Sequence, residues 1–122
     1  MPVRFGDRIG LASWTGTAFE YFMPALFLPV VNGSLSYEAL CFALGEQKKR
    51  RADTGEGFVW GISESAFFAF DYEMNYQYRA FGIPSLGLHR GRENDLVISP
   101  YSSFLSLCVS SKSALGNLKT LK

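Results

Sequence analysis

The chain has 122 residues, of which 48% are hydrophobic, 16% aromatic and 19% charged. Twelve basic residues against eleven acidic ones leave a net charge of +1, which excludes the electrostatic footprint of a nucleic-acid or anionic-membrane binder. One histidine excludes a site built from several imidazoles, the two cysteines, Cys41 and Cys108, exclude a zinc ribbon, a CxxC redox motif and a disulfide scaffold, and the wealth of aromatic rings excludes disorder.

The first twelve residues carry Arg4, Asp7 and Arg8 and no apolar core of signal-peptide type. The longest apolar stretch, 21–31, contains Pro24 and Pro29 and falls short of the ~20 residues of a membrane helix. Thr17 and Glu20 fit a capping box and predict a helix over 18–28, apolar on most sides and therefore buried nearly all round, with Pro24 as a kink and Pro29 with Asn32-Gly33 as its end. Tyr37, Leu40, Cys41 and Leu44 share one face of a second helix, with Ser34 or Ser36 as its cap. Lys48, Lys49, Arg50 and Arg51 read as its solvated last turn, and Gly55 and Gly57 break the chain after it.

No helical period is sustained over 58–98, and a loop region of that length in a compact domain is usually functional. Regularity returns with Ser99-Pro100 as a cap followed by a first-turn proline, and Tyr101, Phe104, Leu105 and Cys108 then mark one helix face. Ser111 or Ser113 caps a last helix carrying Ala114, Leu115, Leu118 and Leu121. Four helices without a sustained strand pattern give an all-α class. The last helix has no stop signal and the first ten residues no element of their own, so residues 1–122 are expected to be a domain truncated at both ends.

The middle region holds the chemistry. Glu64 sits among small polar residues four positions after Trp60. A carboxyl beside aromatic surface can act as a general acid or as a nucleophile on an anomeric carbon, and it can equally be an ordinary loop carboxylate bonded by Ser63 or Ser65. Glu20 lies among Phe19, Tyr21 and Phe22, where acids are rare, although the capping box already explains it. Acids, amides, a guanidinium and three phenols interleave over 71–79. Sugars are bound by such mixtures, through paired hydrogen bonds and ring stacking; the alternative is a polar loop laced by its own hydrogen bonds. His89 between basic residues reads as a loop histidine, and Cys41 and Cys108 on apolar helix faces read as buried free thiols. The segment 82–91 lacks the glycine spacing and Lys-Ser/Thr end of a phosphate loop.

Several runs resemble a known family. Ser13-Trp14-Thr15-Gly16-Thr17-Ala18-Phe19-Glu20-Tyr21-Phe22-Met23-Pro24, Trp60-Gly61-Ile62-Ser63-Glu64-Ser65-Ala66 and Asn75-Tyr76-Gln77-Tyr78-Arg79-Ala80-Phe81-Gly82-Ile83-Pro84 are similar to "SWxGTxFEYxMP", "WGISESA" and "NYQYxAFGxP" of the glycoamylase-like domain of cyclic β-1,2-glucan synthases. Leu86-Gly87-Leu88-His89-Arg90-Gly91, Asp95-Leu96-Val97-Ile98-Ser99-Pro100-Tyr101 and Ala114-Leu115-Gly116-Asn117-Leu118 resemble its "LGLKRG", "DLVVxPY" and "AxxNL". Phe67-Phe68 departs from the Tyr-Asn that often follows "SESA" there.

The resemblance implies an α/α toroid of six helical hairpins that cleaves linear β-1,2-glucan and closes it into a ring by transglycosylation; related domains are hydrolases. It implies Glu64 as a catalytic residue, as nucleophile or acid, with Glu20 as the second catalytic candidate. Trp14, Trp60, Asp71, Asn75, Tyr76, Tyr78 and Tyr101 match positions that line the substrate cleft. No metal or organic cofactor is implied. The expected partners are a β-1,2-glucan or related glucan and the rest of a parent polypeptide that is itself associated with the bacterial inner membrane, with no nucleic acid and no membrane span in this segment. Twelve helices of ~11 residues joined by loops of ~5 need roughly 190 residues. The chain is therefore expected to be a partial (α/α)6 toroid, three or four helices plus long cleft loops, inactive in isolation. A non-catalytic relic or sugar-binding fragment, and a freestanding helical interaction module, are the alternatives.

Overall fold

A computed structural model describes residues 1–5, 7–54, 59–89 and 95–122. Gly55, Gly57 and Phe58, the Arg90 and Gly91 that end the "LGLKRG"-like run, and Arg92 lie outside the described residues. A hairpin of β1 (Pro2–Phe5) and β2 (Arg8–Leu11) opens the chain. It is followed by α1 (Ala18–Phe22), a 3₁₀ turn (Met23–Leu26) and the long α2 (Leu35–Thr54). A second antiparallel pair, β3 (Glu64–Ala66) and β4 (Tyr78–Ala80), precedes α3 (Tyr101–Leu105), another 3₁₀ turn (Ser106–Cys108) and α4 (Ser111–Leu121). The two small sheets are additions to the helical outline that sequence periodicity supplies, because strands of three or four residues are too short to establish a period.

The capping box forms as its residues dictate: the Thr17 hydroxyl accepts from the Glu20 amide, and the Glu20 carboxylate reaches back to the Thr17 amide. The helix it starts is shorter than the expected 18–28. Pro24 has no N–H to continue the ladder, so the chain tightens into the 3₁₀ turn, with the Phe27 and Leu28 amides donating to the Pro24 carbonyl. Ala18, Tyr21 and Phe22 are buried, but Leu26, Phe27 and Leu28 turn outward, Phe27 with 77% of its surface exposed. Ser34 rather than Ser36 starts α2, its hydroxyl accepting from the Tyr37 amide at 3.2 Å. The buried stripe of α2 centres on Ala39, Leu40, Ala43, Leu44 and Gln47, one step round from the expected face, which leaves Cys41 half-buried. Cys108 is exposed, so neither cysteine is the buried thiol that its helix face promised.

The third helix is also rotated from expectation. Ser102, Ser103 and Ser106 are buried while Tyr101 and Phe104 are exposed. Small hydroxyls allow the helix to sit against the backbone at Gly61, whose missing Cβ leaves room for the Ser102 hydroxyl and whose φ of 129° suits glycine. Larger residues cannot occupy that contact, so the phenyl ring of Phe104 faces away. Ser99 does not cap this helix with its side chain; its hydroxyl points to the Ser63 and Glu64 carbonyls. Ser110, not Ser111 or Ser113, caps α4.

The core gathers Phe22 and Tyr21 of α1, Leu40, Phe42, Ala43 and Leu44 of α2, and Trp60, Ile62, Phe81, Ile83 and Leu86 of the connecting segments. Two carboxamides run through it. Gln47, 1% exposed, accepts from the Ile62 amide and donates to the Ile62 carbonyl, both at 2.8 Å. Asn117 of α4 accepts from the Trp60 amide at 3.0 Å and donates to the Trp60 carbonyl at 2.7 Å. The strand leading to β3 is thus held by side chains acting as neighbouring strands. Gln47→Met keeps the volume and strands the buried Ile62 amide, while the Ile62 carbonyl keeps the Ala18 amide at 3.1 Å, so it should lower unfolding free energy by about 2 kcal/mol in urea titrations.

Candidate functional site

The clamped segment 60–62 leads through Ser63 to Glu64 at the surface. Ser63 is buried, and its hydroxyl accepts from the Phe19 amide at 2.9 Å, which ties the start of α1 to the start of β3. The Tyr101 hydroxyl donates between Ser63 Oγ at 2.8 Å and the Glu64 carbonyl oxygen at 2.9 Å. The Glu64 side chain is held separately. In the β3–β4 register Glu64 faces Ala80 and Ala66 faces Tyr78, so Glu64 and Tyr78 are diagonal neighbours on one face of the hairpin. The Tyr78 phenol donates to Glu64 Oε2 at 2.9 Å.

That bond to Glu64, with a smaller contribution from burial, pushes the Tyr78 phenol up to about 12. Burial also raises the Tyr101 phenol, against a lowering contribution from Ser63, and the Glu64 charge adds to the rise. Both phenols are therefore donors at neutral pH, one to the carboxylate and one to its backbone. The cluster is half-exposed, and Tyr78 has 60% of its surface open to solvent. Glu64, Tyr78 and Tyr101, three of the sequence candidates, are thereby brought together.

Glu20 is built into the turn before α1. Burial works against its charge, but the Ser13 hydroxyl at 2.6 Å and the Thr15 and Gly16 amides at 3.0 and 2.9 Å outweigh it and hold the carboxyl below the usual range. Its oxygens thus brace the loop 13–17, as the capping pattern dictates. The loop lies tight against the segment 82–89. Gly16 has a φ of 78° and accepts from the Ile83 amide, and the missing Cβ of Gly82 leaves room for the Thr15 carbonyl.

The remaining candidates separate. Trp60 is a correction: with 4% exposure it belongs to the core and has no face for a sugar, because its backbone is clamped by Asn117 beneath α3 and α4. Asp71 accepts from the Glu73 and Asn75 amides at 3.0 and 2.8 Å through Oδ1, and from the Asn75 and Gln77 side chains through Oδ2. The bond from the Asn75 amide is the main reason its carboxyl lies low. Asp71 and Asn75 thus form the self-laced turn that was the alternative for this loop. Tyr76 is exposed beside them. Trp14 is exposed and stacks on His89. The sequence reading missed Ser63, Gln47 and Asn117 as positioning residues. A signal for Gln47 was present, since it follows Ala43 and Leu44 at helical spacing on an otherwise apolar stripe.

No group of three or more His, Cys, Asp or Glu among the described residues could hold a metal ion. No helix among them is long and apolar enough to cross a membrane. No protein-family model matches the chain. Over 120 residues the chain is 42% identical to the cyclic β-(1,2)-glucan synthase NdvB of Rhizobium meliloti (strain 1021). The chain is related to NdvB. The alignment takes in 98% of this chain and 4% of NdvB, so this chain corresponds to a small part of a much larger polypeptide.

Two titrations check the electrostatics. Because the folded Glu20 carboxyl lies below its ordinary 4.5, the unfolded chain takes up the proton first as pH falls. Stability is then lost as pH drops through the folded value. Glu20→Gln should show a shallower acid limb in unfolding measured against pH. In a ¹³C-tyrosine titration, Glu64→Gln should bring the Tyr78 step down from about 12 toward 10.

Proposed function

We propose that this chain is part of a glycoamylase-like domain of a cyclic β-1,2-glucan synthase, within a partial (α/α)6 toroid, and that the intact domain cleaves and re-forms β-1,2-glucosidic bonds. The observation that carries the reading is the placement of Glu64. It stands half-exposed at the start of a short strand, its backbone held by Tyr101 and its carboxylate by Tyr78. The 42% identity to NdvB supports the substrate class, since NdvB is named for a β-(1,2)-glucan product.

The chemistry assigned to Glu64 follows from its half-exposed, doubly anchored position. Glu64 is assigned as one carboxyl of a glycosidase pair, attacking the anomeric carbon or activating the acceptor, while a second carboxyl protonates the leaving oxygen. Glu20, whose oxygens are occupied by the 13–17 loop, is assigned the shaping of that loop. The protonating acid is assigned to the rest of the parent polypeptide, which is why the isolated chain should be inactive. Tyr78 and Tyr101 offer hydroxyls and ring faces beside Glu64 for the glucan.

A graft tests the proposal. The aligned segment of NdvB is replaced by this chain and, in parallel, by its Glu64→Gln variant. The unaltered graft should retain cyclic glucan formation, and the variant should lose about 10³-fold in rate. Equal cyclisation by both grafts would remove Glu64 from the reaction.

A further inference from the structure

The β3–β4 hairpin has two faces. Register and strand alternation put Glu64, Ala66, Tyr78 and Ala80 on one of them and Ser65 and Arg79 on the other. The Phe67 amide donates to the Gln77 carbonyl at 3.0 Å, which carries the pairing one step past β3. Phe67 and Phe81 continue the second face. Their ring centres lie 6.0 Å apart, with Phe81 buried and Phe67 packed against the core. The hairpin is seated through this face and presents Glu64 and Tyr78 on the opposite one.

Burial does not hold β4 itself. The strand has three residues, all exposed, and a two-stranded hairpin is marginal alone. Arg79 supplies an anchor. Its guanidinium carbon lies 4.0 Å from the centre of the Phe67 ring, within cation–π range. Its Nη1 lies 3.6 Å from Asp95 Oδ2. An exposed ion pair contributes little by itself, but here the ring seats the guanidinium that the carboxylate then holds. Asp95 belongs to the segment that carries Tyr101. Ile98 of that segment bridges to Ile62, and the Ser99 amide donates to the Gly61 carbonyl at 2.8 Å. Arg79 thus links the strand of one phenol, Tyr78, to the segment of the other, Tyr101, and both phenols hold Glu64.

We propose that Arg79, seated on the Phe67 ring and paired with Asp95, is a positioning residue that holds the Tyr78 phenol on the Glu64 carboxylate. Its consequence for rate rests on the reading of Glu64 as a glycosidase carboxyl; the placement does not.

A ¹³C-tyrosine titration of the full 122-residue chain tests the placement, with the Ile62 amide line reporting folding in every sample. Removing a cation beside a phenol disfavours the phenolate, so Arg79→Met acting through charge alone would raise the Tyr78 step. Loss of the bond to Glu64 lowers it. Arg79→Met should therefore bring the step down from about 12 toward 10. Phe67→Leu, which keeps the charge and removes its seat, should lower it as well. Arg79→Lys, which keeps a cation on the ring, should leave it at about 12. With Ile62 at its folded position, a step that stays or rises in Arg79→Met, or stays in Phe67→Leu, overturns the proposal. An equal fall in Arg79→Met and Arg79→Lys overturns it too. In the NdvB graft, Arg79→Met should slow cyclic glucan formation about tenfold, and Arg79→Lys should stay within about twofold of the unaltered graft. A graft indifferent to Glu64→Gln sinks the reading of Glu64 and leaves the titration to decide on Arg79. A lowered step with an unchanged rate, in a graft that needs Glu64, upholds the placement and removes Arg79 from the reaction.

Discussion

Two buried carboxamides hold the strand on which the Glu64 site is built. A peptide group in extended conformation presents one donor and one acceptor, and a carboxamide offers the matching pair. Gln47 completes Ile62 and Asn117 completes Trp60, so helices on either side of the segment do the work of flanking strands. Asn117 also donates to Ser103 Oγ at 2.7 Å, which joins α3 to the same clamp. In a core, an unpaired peptide group costs more than a satisfied one contributes. The arrangement is therefore specific: the strand must sit where both amides can reach it, and Glu64 follows two residues later.

A second set of hydroxyl contacts extends the order from core to surface. Ser63 receives the Phe19 amide and the Tyr101 phenol, and Ser99 turns toward the carbonyls of Ser63 and Glu64. These residues come from three parts of the chain: α1, the start of β3, and the 99–101 segment. Their convergence at one strand start is what fixes the backbone of Glu64, while β4 supplies the phenol that fixes its side chain. Glu20 performs a comparable task for the neighbouring loop, and its low-lying carboxyl reflects the number of donors it gathers.

Local rules made part of this legible. The Thr17–Glu20 capping box, the existence of α2 and the self-bonded polar loop that was one of two readings of 71–79 each depend on a few adjacent residues, and each appears in the structure. Burial depends on partners far along the chain, and there the reading changed. Trp60 went to the core because Asn117, 57 positions away, holds its backbone. The serine face of α3 turned inward because Gly61 lets it approach, a contact that no hydrophobic period encodes. Glu64 stood out by its neighbours in sequence, but its link to Tyr78 is a property of strand register, and Gln47 drew no attention because its partner is a peptide rather than a side chain.

The close approach of α3 to Gly61 gives the site a mechanical sensitivity. Tyr101 opens that helix, and Ser102, the next residue, is the one seated against Gly61. The helix cannot back away from the strand without carrying the Tyr101 hydroxyl off Ser63 and Glu64. A methyl group added at Gly61, although remote from any reacting atom, would thus act as a wedge whose displacement is read out at the carboxylate. Alignment of this surface is gauged by the thickness of one missing side chain in the interior.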